Sequence, residues 1–293
     1  MSSEFTDIVV GAVTLGCIYG LVGVGFVILY RSTGVMSFTQ GNFMLLGGLL
    51  FYTLTNSFRL SLYPALVCVL IAMAAVGAVA YLIVFGHVYD SKPFTISVAT
   101  IALGAIIGTV TSLIWGNSIL QLPNLLSFNP IHLPGDITVT RVTIFTVALA
   151  VVIIVLLVVG FRRTRIGLQM RAVADVPGLA TYLGINVVKV SALAWALSAA
   201  SAAAAGVAYS IGTQVNPSAI PSLGLLAFPA ILLGGLDSVA GALVGGLVLA
   251  LAESAGTTLW GGDWQDVVGY GILIAVLVVR PRGIFGRREV VRV

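Results

Sequence analysis

The sequence predicts an all-α fold: a polytopic transmembrane helix bundle of eight or nine spans, including one short broken helix, in a single membrane domain over residues 1–293. Three observations predict it. The 293 residues are 59% hydrophobic and 8% charged, with a mean hydropathy of +1.12, where a soluble domain of this size is about a quarter charged. The apolar residues fall in runs long enough to cross a bilayer, which takes about 20 residues per helix. Nearly all charges lie between those runs, and no stretch outside them is long enough to bury a core of its own.

The first run, 8–30, follows Glu4 and Asp7 with no basic residue before it. It lacks the positive n-region of a secretory signal and reads as a retained helix. Runs 62–86, 94–115, 142–161, 190–212 and 238–258 are full-length, and 42–56 and 265–279 are shorter but adequate. Segment 223–235 reaches only about 20 Å into a core about 30 Å thick. Pro221 precedes it and Pro229 interrupts it.

Orientation follows from the loops. Segment 162–189 holds Arg162, Arg163, Arg165, Arg171 and Lys189 and is cytoplasmic by the positive-inside rule. Alternation then puts Arg31, Lys92, Arg280, Arg282, Arg287, Arg288 and Arg292 inside as well. Of the 14 Lys and Arg, only Arg59 and Arg141 fall outside, with Glu4, Asp7, Asp136, Asp263 and Asp266. The net charge of +4 is therefore topological and points to the bilayer, not to nucleic acid. An external N-terminus and a cytoplasmic C-terminus require an odd number of crossings. Segment 223–235 is thus expected to cross, making nine, with eight and a misjudged end as the alternative. Interrupted helices at membrane depth survive only beside protein or a water cavity, and they mark transport pathways.

Close helix packing is expected at small residues four apart: Gly16/Gly20, Gly104/Gly108, Gly241/Gly245 and Ala202/Gly206. Cys17 and Cys68 lie in apolar runs and read as packed thiols. Catalytic chemistry is thinly represented. Neither lysine closes a phosphate-binding G-x-x-x-x-G-K-[ST] loop, and there is no G-x-S-x-G elbow. His87 and His132 fall on opposite sides of the membrane and cannot share a metal. The reading is a non-enzyme without a cofactor. Glu253 is the one clear carboxylate inside a span, read as an interfacial or pairing residue or as a site of ion coupling. Asp237 reads as the N-cap of the 238–258 helix.

The loop 162–189 is the richest segment. Asp175 is placed to cap a short helix over about 176–183, with Pro177 in its first turn and Gly184 as its C′ residue. Asn186 is placed to cap the next span. A capped helix between spans is either a docking element for a partner protein or a solvated interfacial helix.

Three patches resemble the branched-chain amino acid type permeases of bacterial ABC importers. They are GLVGVGFVILYRSTGVMSFTQGNFMLLGG at 20–48, RIGLQMRAVADVPGLATYLGI at 165–185, and ILLGGLDSVAGALVGGLVLALAES at 231–254 followed by RPRGIFGR at 280–287. The pattern at 37–42 is similar to the first of the two paralogous permease types. The resemblance implies a multi-pass protein of the bacterial inner membrane that moves a small polar solute inward by alternating access. It implies a homologous permease as heterodimer partner, two ATP-binding subunits and an extracytoplasmic substrate-binding protein. An autonomous carrier or channel is the alternative.

The resemblance makes the second patch the ATPase-coupling segment, with Arg171, Asp175, Pro177, Gly178, Ala180 and Gly184 in it. Ser37, Thr39, Gln40 and Asn42, with Pro229, then line the translocation pathway. The chain departs from the family pattern at Asn42, where a carboxylate is common, and at Asp237, where glycine is common. The first departure fits either a substrate other than an amino acid or a neutral substitution at a helix end.

Overall fold

The computed structural model describes residues 2–85, 93–126, 130–133, 137–236, 238–262, 264–279 and 283–285. The long helices are α1 (Ser2–Thr33), α3 (Leu62–Ala80, extended by a π-helical turn Tyr81–Phe85), α4 (Pro93–Trp115), α5 (Arg141–Arg163), α8 (Val187–Thr213) and α10 (Val239–Trp260). These six are long and apolar enough to cross a membrane. Helices α2 (Gln40–Asn56), α9 (Ala219–Gly234) and α11 (Trp264–Val279) are shorter. Every apolar run of the sequence therefore lies on its own helix.

α1 and α8 form the buried centre. Helices α3, α4 and α5 lie outside them and expose Ile71, Leu113 and Leu156, as side chains facing lipid do. Cys68 is on this exposed surface of α3, so the expectation that it is packed is corrected; Cys17 is half-buried.

Helices α1–α4 and α8–α11 follow one plan: a long helix, a short irregular segment, a short helix and two more helices. Their packing is reciprocal. α1 lies on α10 as α8 lies on α3, α1 on α9 as α8 on α2, and α4 on α2 as α11 on α9. α1 and α8 run antiparallel at the centre, with Gly25 against Ser198 and the Leu21 carbonyl accepting from Ser201 Oγ at 2.6 Å. The two halves thus have opposite sense, as in inverted repeats.

Three of the four small-residue pairs lie where backbones meet, while Gly104 and Gly108 face the Asn42 side chain. Gly16 and Gly20 lie under Leu247 and Leu243 of α10, and Gly241 and Gly245 face Gly234 and Ala230 of α9. A Cβ at Gly206 would come 1.9 Å from the Met44 carbonyl oxygen. Without a hydrophobic drive between helices in lipid, such approaches supply the packing energy.

One short hairpin joins the helices among the described residues, and three local expectations are corrected. A two-stranded hairpin, β1 (Pro130–Leu133) and β2 (Ile137–Thr140), precedes α5. Segment 162–189 holds two helices, α6 (Arg165–Asp175) and α7 (Pro177–Tyr182). Thr164 Oγ1 caps α6 by accepting from Gly167 N at 3.1 Å, so Asp175 ends α6 rather than capping α7. Val176 is the cap of α7, at φ −148° and ψ 89°, outside the α region that a residue before proline avoids. Similarly, Ser238 caps α10 through Gly241 N at 2.9 Å. Asp237 lies outside the described residues, as do His87, Lys92, Asp136, Asp263 and the arginines 280, 282, 287, 288 and 292. Pro177 at the first turn, Gly184 at φ +79° and the Asn186 cap, accepting from Lys189 N at 3.0 Å, agree with the sequence reading.

Candidate functional site

The central site is built where α2 and α9 begin. Gln40 Nε2 donates to Ser198 Oγ at 2.5 Å. Ser198 is eleven residues into α8, about 17 Å along it, with about 23 Å of helix still to run. Gln40 therefore lies near mid-depth of the bundle. α1 passes that level at Gly25 and continues about 12 Å further to Thr33, so residues 34–39 climb back before α2 starts. Gly34, at φ +69°, makes the reversal. From the other end, α8 stops at Thr213 and residues 214–218 bring the chain inward again. There α9 crosses α2: a Cβ at Gly41 would lie 2.3 Å from the Pro221 carbonyl oxygen, and one at Gly224 2.3 Å from Gly41 Cα. Two re-entrant segments from opposite ends thus deliver two helix N-termini to mid-depth.

A small cavity at this crossing is lined by Ser37, Phe38, Gln40, Gly224, Leu225 and Phe228, among others. Gln40 is 3% exposed, and its Oε1 has no hydrogen-bond partner among the described residues. Phe228 packs on Phe26 and Phe38, with ring centroids 5.6 and 5.5 Å away, and narrows the cavity. Thr39 is buried and ties α2 to α4, its Oγ1 donating to Thr100 O at 2.9 Å, while Phe38 N donates to Thr100 Oγ1 at 3.0 Å.

The sequence-predicted pathway residues do not all meet. Ser37 and Gln40 share the cavity. Asn42, two residues on and on the opposite face of α2, packs against Gly104 and Gly108 of α4. Pro229 lies buried inside α9, one residue beyond the cavity wall. Having no N–H, it deprives the Leu225 carbonyl of its helical donor while the helix continues through it. The break is in the hydrogen-bond ladder, not in the helix. Sequence reasoning missed Ser198, Thr100 and the three phenylalanines, because nothing in their spacing singles them out from ordinary core residues.

The second site is the α6–α7 layer at one end of the bundle. Arg171 Nη1 donates to the Phe161 carbonyl, and the Arg171 and Arg31 guanidiniums each lie 5.4 Å from the Phe161 ring. Arg171 therefore binds α6 to α5, beside Arg31 of α1, rather than facing outward. Ala180 is buried. Asp175, Gly178 and Gly184 are exposed. Beside them are apolar residues that the sequence reading passed over: Val176 52%, Leu179 56%, Leu183 72% and Tyr182 91% exposed. An apolar cluster outside the spans was the available signal.

Glu253 belongs to neither site. It is wholly buried, not interfacial, and accepts from Tyr19 Oη at 2.7 Å and Gln265 Nε2 at 3.5 Å. These bonds join α10 to α1 and α11.

Comparison with known proteins places this architecture. No solved structure matches the chain. The chain is 31% identical over 299 residues to the high-affinity branched-chain amino acid transport system permease protein LivH of Salmonella typhimurium, covering 96% of this chain and 95% of that one. It is 30% identical to LivH of Escherichia coli over the same shares, and 29% identical to BraD of Pseudomonas aeruginosa over 97% and 96%. Residues 8–277 match the family described as branched-chain amino acid transport system / permease component. The chain belongs to that permease family, and is a membrane permease subunit rather than an enzyme.

Proposed function

We propose that this permease moves a branched-chain amino acid, or a related small amide or carboxylate, inward across the bacterial plasma (inner) membrane by alternating access. On this reading two separate ATP-binding subunits drive it, a homologous permease completes the pore and an extracytoplasmic binding protein delivers the solute. The α6–α7 end is cytoplasmic, with the N-terminus outside and the C-terminus inside. Ser37 and Gln40 form this chain's part of the pathway, and Thr39 anchors the start of α2 to α4.

The observation that carries the reading is Gln40: a buried amide with an open acceptor, in a cavity at the meeting of two re-entrant helix starts. Midplane sites at the junction of inverted halves are where solutes bind in transporters built this way. No charged residue lines that cavity. At about 10 Å³ the cavity is closed to a solute in this state; once opened, its uncharged lining suits a net-neutral one, since a fixed charge there is costly. The exposed apolar edge of α7 supports a protein partner at the cytoplasmic end.

The carrier reading needs an ion-coupling group, and Glu253 is held by Tyr19 and Gln265 away from the Gln40 cavity. The test is reconstitution of the chain with its neighbouring permease, ATPase and binding-protein subunits in liposomes. ATP-dependent leucine uptake that falls in Gln40→Ala, with insertion unchanged, is expected. Robust uptake by the chain alone, without ATPase subunits, overturns the proposal.

A further inference from the structure

A second cavity, of about 290 Å³, lies at the end of α8 away from α6 and α7, between residues 121–126 and Ser210–Gln214. Its size is at the lower end of small-molecule sites, which run from about 300 Å³. We propose that it is an outer receiving site for a small zwitterionic amino acid, occupied before the solute reaches Gln40; this rests on the function proposed above.

Four features point to that ligand. First, the wall carries no charged side chain but several amides and hydroxyls: Gln121, Asn124, Ser210, Thr213 and Gln214. The side chains of Gln121, Asn124 and Gln214 make no hydrogen bond among the described residues. Ser210 is 1% exposed and its Oγ faces Gly48 of α2, 2.7 Å from where a Cβ there would stand, so the groups open to the solute are those of the loop and of Thr213 and Gln214.

Second, α8 ends here. Gln214 N donates to Ser210 O at 3.0 Å as the last helical bond, and Val215 N turns away to Leu120 O at 3.0 Å. The carbonyls of Ile211, Gly212 and Thr213 are left without helical donors at the negative end of the helix dipole. That end favours an ammonium group, and the amides of Gln121 and Asn124 can donate to a carboxylate.

Third, Gln214 sits at φ 125° and ψ 162°, a conformation otherwise nearly confined to glycine. A glutamine held there keeps its amide at the cavity at a cost in backbone strain. Fourth, the wall is fixed: Leu120 and Val215 exchange two backbone hydrogen bonds of 3.0 Å, locking the 116–126 segment to the α8–α9 turn. The same turn begins the re-entrant stretch 214–218 that leads to Pro221 and Gly41.

The test uses Thr213→Cys in the reconstituted complex, labelled with a membrane-impermeant maleimide added outside. The wild-type chain, whose Cys17 and Cys68 lie in spans, sets the blank, and Leu259→Cys at the far end of α10 is the unprotected control. Leucine is expected to slow labelling of Thr213→Cys severalfold and to leave Leu259→Cys unchanged. Asn124→Ala is expected to raise the half-protecting leucine concentration by about tenfold, as loss of one hydrogen bond to a charged group does. Absence of protection in a complex that still imports leucine overturns the site alone, as does labelling of Thr213→Cys only from the cytoplasmic side. A wild-type complex that imports no leucine overturns the function on which the site rests.

Discussion

Gly41→Ala is the sharpest probe of the crossing between α2 and α9. Its Cβ would stand 2.3 Å from the Pro221 carbonyl oxygen and 3.0 Å from Pro221 Cα, where ordinary contact begins at 3.4 Å. The carbonyl must retreat by about 1.1 Å, the difference between 3.4 and 2.3 Å, and being backbone it takes the first turn of α9 with it. Overpacking of this kind costs about 1–3 kcal/mol, and a backbone clash belongs at the upper end. A cost of about 2–3 kcal/mol is roughly a 30- to 160-fold fall in the folded-to-unfolded ratio. Gly160→Ala is the matched control. Nothing lies within 4 Å of its added Cβ, so better helix propensity, about 1 kcal/mol, acts unopposed. Equilibrium unfolding in mixed micelles, followed by fluorescence of the tryptophans including buried Trp195, measures both. Equal stabilities for Gly41→Ala and Gly160→Ala would refute the reasoning. Uptake in Gly41→Ala should fall as well, because the forced separation opens beside Gln40.

Tyr19→Phe removes the 2.7 Å donor to buried Glu253 and should cost about 1–3 kcal/mol in the same unfolding assay. Tyr19→Phe combined with Glu253→Leu should recover much of that loss, and no recovery would mean the carboxylate is not what the tyrosine satisfies. Tyr182→Ala, at a side chain 91% exposed, should leave the chain's own stability within about 0.5 kcal/mol of wild type while sharply reducing co-purification of ATPase subunits. Gly283→Ala places a side chain at φ +76° and 2.5 Å from the Leu232 carbonyl oxygen. It should speed hydrogen exchange at Ile284 and Phe285, whose amides bond to Leu233 O at 2.8 Å and Gly234 O at 3.1 Å; unchanged protection contradicts this.

The spans were legible because lipid imposes one rule on each of them, and a run of apolar residues states it without reference to neighbours. Caps that depend on one residue and its next turn were legible too, as Pro177, Gly184 and Asn186 show. Asp175 failed because an upstream cap, Thr164, extended a helix through it. Asn42 and Gln40 look equivalent in sequence, yet two residues on a helix turn them to opposite faces, one onto the α4 glycines and one onto Ser198. Which of the two meets the cavity depends on helices sixty and one hundred and sixty residues away. Composition also underrated Glu253: its burial comes from α1 and α11 closing over α10, which no local pattern encodes.

The distance between the exposed edge of α7 and the Gln40 cavity raises a mechanical question, and the arginine cluster answers it. α7 is joined to α6 through the single residue Val176, and α6 is clamped to the end of α5 by Arg171 on the Phe161 carbonyl and ring. Arg31, two residues before the end of α1, lies over the same ring. On the function proposed above, a load on Tyr182 and Leu183 is delivered to the end of α1 rather than dissipated in a flexible loop. Immediately beyond that end comes Gly34 at φ +69°, then Ser37, Thr39 and Gln40. Backbone freedom is greatest at a glycine, so on the proposed function Gly34 is the hinge about which displacement of α1 turns the start of α2 where it meets α9. On the proposed function, an energy source outside the membrane thus reaches a mid-depth cavity whose lining holds no ionisable group.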